Sequence, residues 1–347
     1  QEASPPMVRI QKALMLVGLI AMLSVAPVTV LAQDADATSV LSGLEGGTVG
    51  VAEANGLEIV YERFGSEDAE AILFIAGTGQ QLIEWPLELV TTLVDEGYQV
   101  VLFDNRDVGL STRLEEAGAP DWAAIFTALA TGQPLPVAYT CKDMAQDAIG
   151  LLDALNIEQA HIVGASGGAI IAQALAATYP DRVLSLTLLM ANSGNPEYPL
   201  PANPERMATA PQVAPPAGSP LEAIIEYRMQ VARALSSPDF PVDEDTLRQR
   251  ITRAVERSYY PVGSDRQGAA VLIPAYDEMR AMLGSIDAPT VVIHGSADPL
   301  VPYQLGEDVA SAIPGAEFVL VEGMGHEIPD ELALLVAEAV KRVAAEA

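Results

Sequence analysis

The sequence predicts an α/β protein with a mostly parallel central sheet, helices on both faces and a helical insertion. Three observations carry this. Short continuous apolar runs alternate with helical periodicity from residue 71 onward, as expected of strands buried on both faces. One of these runs leads into a glycine-flanked serine that opens a helix. The rhythm breaks between about 191 and 275, then resumes for two strands and a closing helix.

The elements follow in order. Val51 to Phe64 alternates around Asn55-Gly56, a pair that suits a tight hairpin. Ala71–Ile75 is a buried strand that leads into Ala76-Gly77-Thr78-Gly79. Pro86 to Glu96 has helical periodicity, and Gln99–Phe103 is the next strand. Met144 to Leu155 sets Ala148, Leu151, Leu152 and Leu155 on one helical face. Ala160–Val163, Val183–Leu189, Pro289–His294 and Glu317–Val321 read as further strands, and Glu331–Ala345 as the last helix. The break holds a Pro-rich stretch, Asn195 to Pro220, and two helical patterns, Leu221–Leu235 and Glu244–Ser258. The expected organisation is a core over 48–190, a helical cap over 191–275, and the rest of the core over 276–347.

Half of the 347 residues are hydrophobic, enough for a large core and too many for a disordered chain. The net charge is −29, and lysine occurs only at positions 12, 142 and 341. Such a surface repels phosphate backbones, which argues against a nucleic-acid partner. The single cysteine, Cys141, has no partner for an intramolecular disulfide, and no Cys/His cluster has zinc spacing; it reads as structural.

The N-terminus reads as a targeting segment. Arg9 and Lys12 precede an apolar run from Ala13 to Ala26, Pro27 breaks it, and Val30-Leu31-Ala32 resembles a cleavage site. This predicts a signal peptide over 1–32, a linker over 33–47, and export to the periplasm or the exterior. Contact with the membrane would then be limited to the export signal. An uncleaved anchor is the competing reading, and Met7 is a candidate start.

The chemistry centres on Gly164-Ala165-Ser166-Gly167-Gly168. A serine on a strand–turn–helix of this kind has its hydroxyl lifted above the sheet edge, and the flanking glycines allow close strand–helix approach. A serine hydroxyl needs a base, and the base needs an orienting acid. Of the three histidines, His161 lies within a strand and reads as packed. His294 ends a strand and could face the site. His326 lies in a Gly-rich loop after the last strand, where a reachable base belongs. The acid is Asp298, on the loop after the Pro289–His294 strand; Asp277 and Asp287 precede that strand, at the wrong edge. The order Ser166, Asp298, His326 is the expected one. Gly167 and Thr78 are the expected backbone donors of an oxyanion hole. Asp104 and Arg106 read as a structural ion pair, and Trp85 as either pocket lining or packing.

The ordered set Ala-Gly-Thr-Gly (76–79), Phe-Asp-Asn-Arg-Asp-Val-Gly-Leu-Ser (103–111), Gly-Ala-Ser-Gly-Gly (164–168), His-Gly-Ser-Ala-Asp-Pro-Leu-Val-Pro (294–302) and Gly-Met-Gly-His (323–326) resembles the α/β-hydrolase superfamily. It is most similar to the capped serine esterases, including antibiotic methylesterase-like enzymes. The chain departs from the common pattern at Ala76 and Gly167, where the superfamily often carries a histidine and a bulkier residue. The resemblance implies hydrolysis of a small-molecule carboxylic ester through an acyl-enzyme, with no metal or organic cofactor. The same triad also serves prolyl aminopeptidases, carbon–carbon bond hydrolases and perhydrolases, and a non-catalytic binding protein could keep the fold. Dehalogenases and epoxide hydrolases would need an aspartate at position 166.

Overall fold

The computed structural model describes residues 46–272 and 276–347. The predicted signal peptide and nearly all of the predicted linker fall outside these residues. Eight strands form one sheet: β1 (Thr48–Ala54), β2 (Leu57–Phe64), β3 (Ala71–Ile75), β4 (Gln99–Phe103), β5 (Ala160–Ala165), β6 (Val183–Leu189), β7 (Thr290–Gly295) and β8 (Glu317–Val321). Their spatial order is β1-β2-β4-β3-β5-β6-β7-β8. β2 runs antiparallel to β1 and β4, and every other pairing is parallel. The β1–β2 turn is Asn55-Gly56, both at positive φ (52° and 76°), which matches the twist a two-residue hairpin needs.

Eleven helices accompany the sheet among the described residues: α1 (Leu87–Asp95), α2 (Trp122–Thr131), α3 (Cys141–Ala154), α4 (Gly167–Thr178), α5 (Pro204–Met207), α6 (Leu221–Leu235), α7 (Glu244–Arg257), α8 (Pro261–Ala270), α9 (Tyr276–Leu283), α10 (Tyr303–Ala312) and α11 (Ala333–Ala344). One face of the sheet packs on α3, α4, α9 and α10. The other packs on α1 and α11. Every residue of β3, β4, β5 and β7 is buried, so these strands read as unbroken apolar runs rather than alternating ones. Cys141 begins α3 behind the capping box of Thr140 and Asp143 and is a free, half-buried thiol.

The stretch between β6 and β7 carries α5 to α9. α6 and α7 share a small apolar cluster of Ile224, Ile225, Met229, Ile251 and Val255. α9 instead packs on α4 and α10.

Buried ion pairs tie α7 and α8 to the core, and they differ from the expected one. Asp104 and Arg106 do not pair with each other. Asp104 meets Arg257 of α7 at 2.6 Å, and Arg106 meets Asp147 of α3 at 2.6 Å. Asp107 receives a two-pronged contact from Arg266 of α8, at 2.8 and 2.7 Å, and a hydrogen bond from Tyr139 Oη at 2.8 Å. Asp104 is turned to Arg257 of α7 and Arg106 to Asp147 of α3, so each finds its partner on another element. The carboxylates of Asp104 and Asp107 also accept backbone N–H groups of Leu82, Leu110 and Leu114, which supplies the extra hydrogen bonds a buried charge requires.

Asp265 of α8 differs from these. It is fully buried, and neither carboxylate oxygen has a hydrogen-bond partner among the described residues. Burial outweighs the pull of neighbouring Arg266 and pushes its pKa up to about 8. An acid with a raised folded-state pKa favours folding below its unfolded value, and that advantage is lost as pH rises toward the folded value. Urea unfolding should therefore show stability falling between about pH 4 and pH 8, with a shallower fall in Asp265→Asn. Parallel curves for the two proteins would contradict this.

Candidate active site

The turn between β5 and α4 raises Ser166 at the carboxyl edge of the sheet. Ser166 adopts φ 52° and ψ −118°, a backbone region that costs a non-glycine residue about 1–3 kcal/mol and persists only when the surroundings hold it. Its N–H donates to Leu189 O at 2.8 Å, and its carbonyl accepts from Ala169 N at 2.9 Å. The flanking glycines are obligatory. A Cβ on Gly168 would sit 2.0 Å from Ile75 O, and one on Gly164 would sit 2.5 Å from Gly168 O.

The three residues expected to act together are together. His326 Nε2 lies 2.9 Å from Ser166 Oγ. His326 Nδ1 lies 2.7 Å from Asp298 Oδ2. Asp298 Oδ1 accepts the N–H groups of Leu300 and Val301 at 2.8 and 2.9 Å. Burial works to raise the Asp298 carboxyl, but His326 and His294 together outweigh it and hold the group well below the usual carboxylate range. An ionised carboxylate can only accept, so the His326 proton resides on Nδ1 and Nε2 is left to accept from the serine hydroxyl.

The other histidines lie elsewhere. His161 is buried in β5 with Nδ1 2.8 Å from Ser185 Oγ, a packed residue as expected. His294 does not face Ser166. Its Nε2 lies 3.0 Å from Val301 O and 3.2 Å from Asp298 Oδ2, so it supports the acid from behind. Trp85 packs edge-on to Phe74, with ring centroids 4.9 Å apart.

Thr78 and Gly167 are also brought side by side. A Cβ on Gly167 would lie 3.2 Å from Thr78 N. In the loop after β3, Gly77 N–H donates to Gln80 Oε1 at 3.1 Å and Gly79 N–H to Gln267 Oε1 at 2.8 Å. The Thr78 N–H between them carries no hydrogen bond within the described residues. Together with the Gly167 N–H at the start of α4, it suits a developing negative charge.

The loop bearing His326 is held from above. His326 N–H donates to Leu235 O at 2.9 Å, and Gly325 N–H to Ser237 Oγ at 2.8 Å. Ser237 N–H in turn donates to Glu327 Oε1 at 2.7 Å. Any side chain on Gly325 would strike Leu235 O and Ser236 O, each 2.5 Å from its Cβ position. Sequence reasoning missed Ser237 and Gln267 in the insertion and Glu327 beside His326, because an isolated polar residue carries no pattern that announces its contact.

The model of the family described as the α/β-hydrolase fold matches residues 70–331. The chain belongs to the α/β-hydrolase family. A rhodomycin D methylesterase of Streptomyces sp. (strain C5) is 30% identical over 286 residues, covering 77% of this chain and 88% of its own length. The rhodomycin D methylesterase of Streptomyces peucetius is 29% identical over 285 residues, with the same coverage. The crystal structure of an enol-lactonase from Burkholderia xenovorans LB400 superposes with a TM-score of 0.62 at 23% identity, covering 84% of this chain and 98% of that one. This α/β hydrolase is thus an enzyme whose relatives include esterases.

One stability consequence follows for the hydrolase. The depressed Asp298 pKa means that its ionised form stabilises the fold above the unfolded carboxyl value, about pH 4, and that this contribution is lost as pH falls through the lowered folded value. Acid unfolding followed by circular dichroism should be less steeply pH-dependent below about pH 4 in Asp298→Asn than in the wild type. Identical acid limbs would count against an ionised, stabilising Asp298.

Proposed function

We propose that this hydrolase cleaves a small-molecule carboxylic ester through a Ser166 acyl-enzyme. The observation that carries the reading is the hydrogen-bonded chain Ser166–His326–Asp298, at 2.9 and 2.7 Å, beside the free Thr78 N–H. The two methylesterase relatives favour an ester of a small alcohol, a methyl ester above all.

Each step uses groups already in place. Ser166 Oγ attacks the ester carbonyl carbon while its proton passes to His326 Nε2. The carbonyl oxygen becomes an oxyanion between the Thr78 and Gly167 N–H groups, which need no reorganisation to receive it. Asp298 stabilises the imidazolium formed. Collapse breaks the bond to the alcohol, which leaves with the proton from His326. Water then gives a proton to His326 and attacks the acyl carbon. The second collapse frees the carboxylic acid and returns the proton to Ser166 Oγ. The base and the oxyanion donors act in the same transition state, one taking the serine proton and the other receiving the charge that develops.

The test is hydrolysis of a graded p-nitrophenyl ester series and matched methyl esters. The wild type should turn over short-chain esters, and Ser166→Ala should fall to background. Asp298→Asn should lose about 10⁴-fold in kcat through the wrong histidine tautomer. Full activity in Ser166→Ala would overturn the assignment.

A further inference from the structure

Among the described residues, α8 hydrogen-bonds the loop after β3 through one side chain, while α7 holds the same loop further on, at Gln81. Gln267 of α8 is almost wholly buried (1% exposed). Its Oε1 accepts the Gly79 N–H at 2.8 Å, and its Nε2 donates to Arg106 O at 2.6 Å. The amide thus bridges two core loops that otherwise belong to different strand ends. Gly79 is at φ 72°, so this peptide could turn through several orientations if it were free. Ser264, one turn earlier, covers the glycine, with Oγ 2.7 Å from where a Cβ would stand. On the other side Gln80 takes the Gly77 N–H at 3.1 Å. The two glutamines therefore occupy the N–H groups before and after Thr78. This leaves the Thr78 N–H as the loop's free donor and fixes the peptide planes that flank it.

The anchor of Gln267 is firm. The preceding residue, Arg266, makes the two-pronged buried contact with Asp107, so α8 cannot slide without breaking a buried pair. Gln267 is itself too far along the chain from the serine turn to be part of it, and it has no group suited to proton transfer. Its effect would be exerted through the orientation of Thr78.

We propose that Gln267 is a positioning residue that sets the second oxyanion donor, so that seating of the inserted helices completes the acyl-transfer site. This rests on the reading of Thr78 and Gly167 as oxyanion donors. A mis-set donor weakens the transition state far more than the bound ester, because the ground-state carbonyl makes the weaker contact. The signature is a fall in kcat with KM nearly unchanged.

The experiment compares the wild type with Gln267→Met, which keeps the length and removes both hydrogen bonds. The control is Ser258→Ala, which loosens the insertion by removing the hydroxyl's hydrogen bonds to Gly109 O at 2.8 Å and from Arg113 at 3.2 Å and breaks no hydrogen bond to the Thr78 loop. Gln267→Met should lose about 10- to 100-fold in kcat with KM within about threefold, and should bind a trifluoromethyl ketone, whose serine adduct carries the oxyanion, more weakly by a similar factor. Ser258→Ala should lower the melting temperature with a much smaller change in kcat. In the wild type, amide exchange followed by NMR should be slow at Gly79 and fast at Thr78, and the trifluoromethyl ketone should slow it at Thr78. That measurement decides the matter even if Gln267→Met does not fold. Unchanged kcat and ketone affinity in Gln267→Met, an equal kcat loss in Ser258→Ala, or fast exchange at Gly79 would each overturn the proposal. If the wild type hydrolyses no ester at all, the functional reading fails on its own, while ketone affinity and amide exchange still read the role of Gln267.

Discussion

The close approach of β5 and α4 around Ser166 is the constraint on which the rest of the site depends. Two glycines, 164 and 168, let a strand and a helix meet where any Cβ would strike backbone. The meeting forces Ser166 into a left-handed conformation and points its hydroxyl away from the sheet. It also starts α4 with an unoccupied N–H at Gly167, next to Thr78. The buried strands β3, β5, β6 and β7 hold the turn from both sides, which explains how a strained residue survives. The fold therefore supplies a rigid nucleophile and half of an anion site in one turn.

The other groups come from loops, and loops need to be held. Asp298 is fixed by two backbone N–H groups of its own loop and by His294 behind it. The His326 loop is gripped by the end of α6 through Leu235 and Ser237. The loop after β3 is gripped by α8 through Gln267. The inserted helices thus touch both loops on either side of Ser166. They are in turn fastened by Asp104–Arg257 and Asp107–Arg266. A helical insertion built this way sets the geometry of the loops it grips.

Much of this was legible in the sequence. The serine turn, the acid and the base each sit in a short motif at the end of a strand, and strand ends are where an α/β sheet gathers its site. The parallel sheet was legible from unbroken apolar runs such as Ala71–Ile75 and Gln99–Phe103. What was hidden is the polar interior of the insertion. α8 buries Asp265, Arg266 and Gln267, so it lacks the apolar stripe by which helices are recognised. α2 was hidden for the opposite reason, being apolar on nearly all sides. The ion-pair partners of Asp104 and Arg106 were hidden too, since they lie 153 and 41 residues away and nothing local selects them. The role of His294 depends on a ring orientation that only packing decides.

The central claim is that Ser166 is made nucleophilic by His326 and Asp298. It is tested most directly by treating the protein with a fluorophosphonate and locating the adduct by mass spectrometry. The account predicts a single adduct on Ser166 in the wild type, and its near-complete loss in His326→Ala with the fold intact. An adduct on another residue, or undiminished labelling of Ser166 without His326, would contradict it.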